Sequence, residues 1–164
     1  MSAPLSFDLS SLSTAYAAGA SVVETVREVY ARIAARDGDH VWIALRPEED
    51  VIAEAAALEK RRAAGEVFAL YGAPFAVKDN LDVAGLPTTA ACPAFSYQPA
   101  ADAEIVRRLR AAGALVIGKT NLDQFATGLV GVRSPYGAPS SVFDKHYPSG
   151  GSSSGSAVAP AAGL

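Results

Sequence analysis

Seven consecutive residues, Gly150-Gly151-Ser152-Ser153-Ser154-Gly155-Ser156, concentrate hydroxyl groups on a permissive backbone. Paired glycines reach backbone angles closed to other residues, so the chain can turn sharply there and present hydroxyls and amides at close range. Each serine both donates and accepts, and several packed together can hand a proton along. A flexible Gly/Ser linker has the same composition, and composition alone leaves both readings open. A linker would not normally run straight into an apolar segment such as Ala157-Val158-Ala159. Phosphate binding is the weaker reading: the Walker pattern needs a lysine after the last glycine, where this chain has Ser156, and G-x-G-x-x-G is absent.

Lys78 is the second candidate, because it stands where the short apolar run Pro74 to Val77 meets polar residues. Most lysines in such places snorkel to the surface. Drawn into a dry site, however, a lysine loses water that favours its ammonium form, its pKa falls, and the neutral amine can take a proton from a hydroxyl. Other reactive types offer less. His40 and His146 stand apart in sequence and no metal-ligand spacing occurs, so loop or surface positions are expected for both. Cys92, beside Pro93 and among small residues, reads as a packed thiol. Arg107, Arg108 and Arg110 read as the solvated face of an amphipathic helix.

These residues need a scaffold. Residues 10 to 37 read as a helix, with Ser21 followed three places on by Glu24 in the capping-box pattern and Val22, Val26, Val29 and Ile33 recurring at helical spacing. Val41 to Leu45 reads as a strand and the alanine-rich 48 to 64 as a second helix. A buried strand over Pro74 to Val77, a helix capped by Asp102 and running through Ala112, and a strand over Leu115 to Ile117 follow. Strand, loop, helix and strand in that order point to an α/β layered fold with parallel pairing. The last forty residues are rich in glycine and proline and read as loops, closing on a helix over Ala157 to Ala162 that Pro160 should bend.

The bulk properties narrow the function classes. The 164 residues suit one domain or a piece of one, 50% are hydrophobic and 19% charged, and the net charge is -3. That balance gives no electrostatic reason to expect nucleic acid or an anionic membrane as partner. With a single cysteine, no secretory pattern at the N-terminus and no apolar run of about 20 residues, the chain reads as soluble and cytoplasmic.

Three stretches in order, Pro74-Phe75-Ala76-Val77-Lys78-Asp79-Asn80, Gly118-Lys119-Thr120-Asn121 and Gly150 to Ser156, resemble the amidase signature family, from about Gly72 to Leu164 with a looser match before it. Residues 1 to 70 would then be a helical N-terminal region and 71 to 164 the start of a catalytic core. The implied fold is α/β, a mixed and largely parallel sheet flanked by helices, incomplete in this chain. Leu122 to Gly131 and Thr88 to Phe95 look most like the allophanate hydrolases. The amidases of tRNA amidotransferases, which usually read Met-Asp-Glu-Phe-Ala-Met-Gly where this chain has Leu122 to Gly128, are the second resemblance.

The resemblance implies a Ser–cis-Ser–Lys triad. Lys78 matches the lysine, Ser152 the bridging serine after a cis peptide bond, and Ser153 a supporting serine; Ala126, Thr127 and Gly128 would line the substrate pocket. The family's attacking serine and oxyanion amides lie in a second glycine-rich turn beyond Leu164, so the chain alone is expected to be inactive. The substrate would be a small-molecule amide, with no metal and no cofactor, and with a biotin-dependent urea carboxylase as pathway neighbour. Uncovered strand edges would favour self-association, as a homo-oligomer or aggregate. A reading of another class, a non-catalytic binding module built on an amidase fold, is separated from these by the reading frame after Leu164.

Overall fold

A computed structural model describes residues 6–36 and 38–164. The first helical region is two helices, α1 (Leu9–Ala17) and α2 (Val22–Ala34), where one run over 10 to 37 is expected from periodicity. Gly19, at φ +94, reverses the chain between them, and each helix has its own cap: Asp8 accepts from Ser11 N and Ser21 Oγ from Glu24 N. The reciprocal half of the capping box does not form. Glu24 pairs with Arg27, while Glu59 accepts from Val22 N at 2.7 Å and from the Ser21 hydroxyl at 2.9 Å. Asp37, the last residue of the expected run, lies outside the described residues.

Strand β1 (Trp42–Leu45) leads through Pro47 into α3 (Glu48–Ala63), which starts with three acidic residues and ends with three basic ones, favourable to its dipole at both ends. Strand β2 (Pro74–Lys78) and strand β3 (Leu115–Thr120) flank helix α4 (Glu104–Ala111) in the chain. The sheet is mixed, in the order β1-β3-β2: β2 runs parallel to β3, pairing Lys78 with Thr120, and β1 runs antiparallel to β3. Asp102 does not cap α4. It lies two residues ahead of the first helical residue, accepts from Ala84 N at 2.8 Å and pairs with Arg110.

The central strand β3 is buried along its whole length, and its alternation divides the core. Leu115 and Ile117 point to Leu12, Val22, Val26, Val29, Val51 and Leu58 of the first three helices. Val116 points the other way, to Val77, Val83, Leu86 and Val106 under α4. With helices on both faces, the ends of β2 and β3 are left free to carry polar side chains. Helix α5 (Ser154–Ala161) begins inside the serine-rich turn, three residues before the expected Ala157, and runs through Pro160. Pro160 lies within two residues of the helix end, where one backbone bond is lost and Ala162 N still reaches Val158 O at 2.8 Å.

Candidate active site

Lys78 is the last residue of β2, half-buried, and its Nζ donates to Ser152 Oγ and Ser153 Oγ, both at 2.8 Å. The three side chains come from positions 74 and 75 residues apart, brought together because β2 ends beside the N-terminus of α5. The Gly151–Ser152 peptide bond is cis. Burial pushes the Lys78 amine below its ordinary pKa, and the carboxylate of Asp123 works in the opposite direction. An amine depressed by burial and touching two hydroxyls is equipped to accept a proton from one of them.

No hydrogen bond joins the other serines of the turn to Lys78, and the Ser154 hydroxyl has no hydrogen-bond partner among the described residues. Ser154 is fully buried, and Ser156 Oγ shares a 2.6 Å hydrogen bond with Thr120 Oγ1. Gly155 is required by packing, since a Cβ there would stand 2.3 Å from Val41 O and 2.7 Å from Asn121 N.

Ala126, Thr127 and Gly128 do not touch Lys78 through a hydrogen bond; they join the cluster through Asp123 and the serine turn. Phe125 and Ala126 have positive φ, +51 and +57, in a short 3-10 turn after Asp123. Ala126 N donates to Asp123 O, and a Cβ on Gly128 would lie 2.5 Å from the Asp123 carboxylate. Phe125 N donates to Ala90 O and the Gln124 side chain to Ala91 O, which ties this turn to the loop after β2.

Three buried polar neighbours of the cluster were not singled out by residue chemistry in the sequence. Lys119 and Asp79, both fully buried, face each other at 2.7 Å. Lys119 also donates to Pro87 O and Thr88 Oγ1, while Asp79 accepts from Thr89 N and the Thr89 hydroxyl. Asn121 uses its whole amide: it donates to His40 O and Gly137 O and accepts from Leu122 N and Ser134 Oγ. The available signal was a lysine and an asparagine following an apolar strand within four residues of Ile117, across a single glycine.

His40 is exposed in a loop, as expected. It stands at φ +59, and its ring packs so closely on Gly137 that a Cβ there would stand 2.3 Å from Nδ1. His146 is exposed beside Asp144, and Cys92 is a half-buried free thiol. Arg107 and Arg108 are exposed on α4 as expected, whereas Arg110 is largely covered and paired with Asp102. Among the described residues no His, Cys, Asp and Glu side chains group as a metal site requires, and no helix is long and apolar enough to cross a membrane.

The end of β2 thus places a lysine in hydrogen-bond contact with two serines of the glycine-rich turn that opens α5, on an α/β scaffold. Residues 24–164 match the family model described as Amidase, and the chain belongs to that family. It is 56% identical over 126 residues to the urea amidolyase of Saccharomyces cerevisiae, covering 77% of this chain and 7% of that protein. It is 43% identical over 149 residues to a glutamyl-tRNA(Gln) amidotransferase chain of Symbiobacterium thermophilum, covering 87% and 30%. Among solved structures, the allophanate hydrolase of Kluyveromyces lactis superposes with a TM-score of 0.77 at 45% identity, over 92% of this chain and 25% of that one. The chain therefore spans less than a third of the length of each of these relatives.

Proposed function

We propose that this chain is the lysine-and-serine portion of an amidase that hydrolyses allophanate. The observation that carries the reading is the pair of 2.8 Å hydrogen bonds from Lys78 to Ser152 and Ser153. In the proposed reaction Ser152 passes its proton to the neutral Lys78 amine and takes one from the attacking hydroxyl, which is then free to add to the amide carbonyl. Ser153 holds the amine in line, and the turn over Ala126, Thr127 and Gly128 lines the pocket. General-base assistance of this kind contributes roughly 10²–10⁴-fold, so Lys78→Ala should lower turnover by at least that factor.

The attacking serine is proposed to come from outside the 164 residues. Ser154 is buried and Ser156 is bonded to Thr120, so neither hydroxyl is presented to a substrate. Acyl transfer also needs amides aimed at the developing oxyanion, and losing one such donor costs about 10²–10³ in rate. The chain alone is accordingly proposed to be inactive. Allophanate is preferred to a tRNA-linked amide because identity to a urea amidolyase exceeds that to the amidotransferase chain. A urea carboxylase, as the source of allophanate, is the proposed pathway neighbour.

The test is ammonia release from allophanate by this chain, by its Lys78→Ala variant and by the full reading frame that contains it. Activity is expected from the full frame alone and should fall in Lys78→Ala. Turnover by the 164 residues that disappears in Lys78→Ala would refute the external nucleophile. A full frame that hydrolyses other small amides and leaves allophanate untouched would refute the substrate.

A further inference from the structure

We propose that Asp123 is a positioning residue for the Lys78 cluster: its buried carboxylate holds the loop 123–133 against the serine turn and supplies the negative charge that acts on the Lys78 amine. This rests on the reading of Lys78 as a proton acceptor and adds a group to it that none of the sequence motifs assigned.

The geometry is that of a hub. Asp123 is fully buried. Its Oδ2 accepts from Gly131 N at 3.0 Å and its Oδ1 from Arg133 N at 2.8 Å, which closes the loop that carries Ala126, Thr127 and Gly128. Its own backbone N–H donates to Ser152 O at 3.0 Å, and Gly151 N donates to Leu129 O at 3.0 Å, so loop and turn are bound at two points. Glycine is needed where the carboxylate meets the chain: a Cβ on Gly151 would stand 2.4 Å from Asp123 Oδ2, and one on Gly128 2.5 Å from the same atom. The carboxylate thus packs on the residue immediately before Ser152.

The charges around Lys78 leave this role to Asp123. On β2 itself, Asp79 is turned into the core and paired with Lys119 of β3. In the loop after β2, Asp82 is bound by Thr88 and Tyr97. The serine turn presents hydroxyls only, and the Arg133 guanidinium reaches Thr127 O. Burial alone would drive the amine far toward its neutral form, whereas a neighbouring carboxylate lets it hold a proton once it has received one. A lysine that must both take a proton from Ser152 and return it to the leaving group needs that balance.

The test follows acetylation of Lys78 against pH by mass spectrometry, with the exposed Lys60 and Lys145 as internal standards. In Asp123→Asn the Lys78 midpoint is expected to fall by about one pH unit, a tenfold gain in reactivity below the midpoint, with both standards unmoved. A folded Asp123→Asn protein whose midpoint stays within about 0.2 unit of wild type would overturn the electrostatic role. Should that variant not fold, Gly128→Ala keeps the charge and displaces it, and an unshifted Lys78 midpoint there counts equally against the proposal. Amide exchange in the unaltered chain covers the structural half: Gly131 and Arg133 are expected to be protected, and exchange as fast as in the exposed loop at Phe143 would refute it. None of these readouts needs turnover, so failure to hydrolyse allophanate alongside a shifted midpoint would refute the proposed function and leave this inference standing.

Discussion

Replacing Lys119 with methionine isolates the buried ion pair that underlies the site. Methionine keeps most of the aliphatic stem and volume of lysine but removes the ammonium. Asp79 would then keep the Thr89 N–H and hydroxyl on Oδ2 and face nothing on Oδ1, which contacts only Lys119 and does so at 2.7 Å outside hydrogen-bond alignment. Pro87 O and Thr88 Oγ1 would lose a donor as well. Removing one partner of a buried pair costs roughly 3–5 kcal/mol, because an uncompensated charge remains in the core. For a chain of this size that corresponds to a fall in Tm on the order of 6–20 °C. Urea unfolding followed by far-UV circular dichroism measures it. The double variant Lys119→Met, Asp79→Leu should recover part of the loss, since two apolar groups of suitable shape leave no orphaned charge. A single variant that loses under about 1 kcal/mol would refute the reasoning, since it would place the carboxylate in contact with water or another cation. A double variant less stable than Lys119→Met would show that packing of the 87–91 loop, and not charge, is what the pair provides.

Asn121→Leu should cost at least about 2 kcal/mol in the same assay, because it leaves two carbonyls and two donors unmatched around the start of α5. Gly151→Ala should destabilise by about 1–3 kcal/mol and raise the reactivity of Lys78 toward acetic anhydride, since the added methyl would displace either the Asp123 carboxylate or Gly131 N. The pH dependence of stability has a definite sign at Lys78. Its folded pKa lies below the ordinary lysine value of 10.5, so between the two values the unfolded chain binds more protons and stability rises with pH. Urea midpoints of the wild type measured from pH 7 to pH 10.5 should climb relative to those of Lys78→Met, and parallel curves would show that the amine is not desolvated.

What could be read from the sequence followed from the range over which its causes act. Strand β3 and the helices around it were legible because a period of two or of 3.6 is a local pattern, and Leu115, Val116 and Ile117 carry it within three residues. The break at Gly19 was missed because the apolar stripe continues across it; only the left-handed φ of one glycine and a second cap at Ser21 divide the run. Asp102 looked like a cap on spacing, yet its carboxylate is taken by Ala84 and Arg110, partners 18 and 8 residues away. The site shows the same division. Lys78, Ser152 and Ser153 were found through a motif whose members the fold brings to 2.8 Å. Asp123, Lys119 and Asn121 sit in the same motifs but act through backbone amides and carbonyls, and an amide has the same formula at every position. Groups that react announce themselves by side-chain type. Those that position them do so by where the chain returns, which in this fold means the crossing of the 123–133 loop, the end of β2 and the first turn of α5.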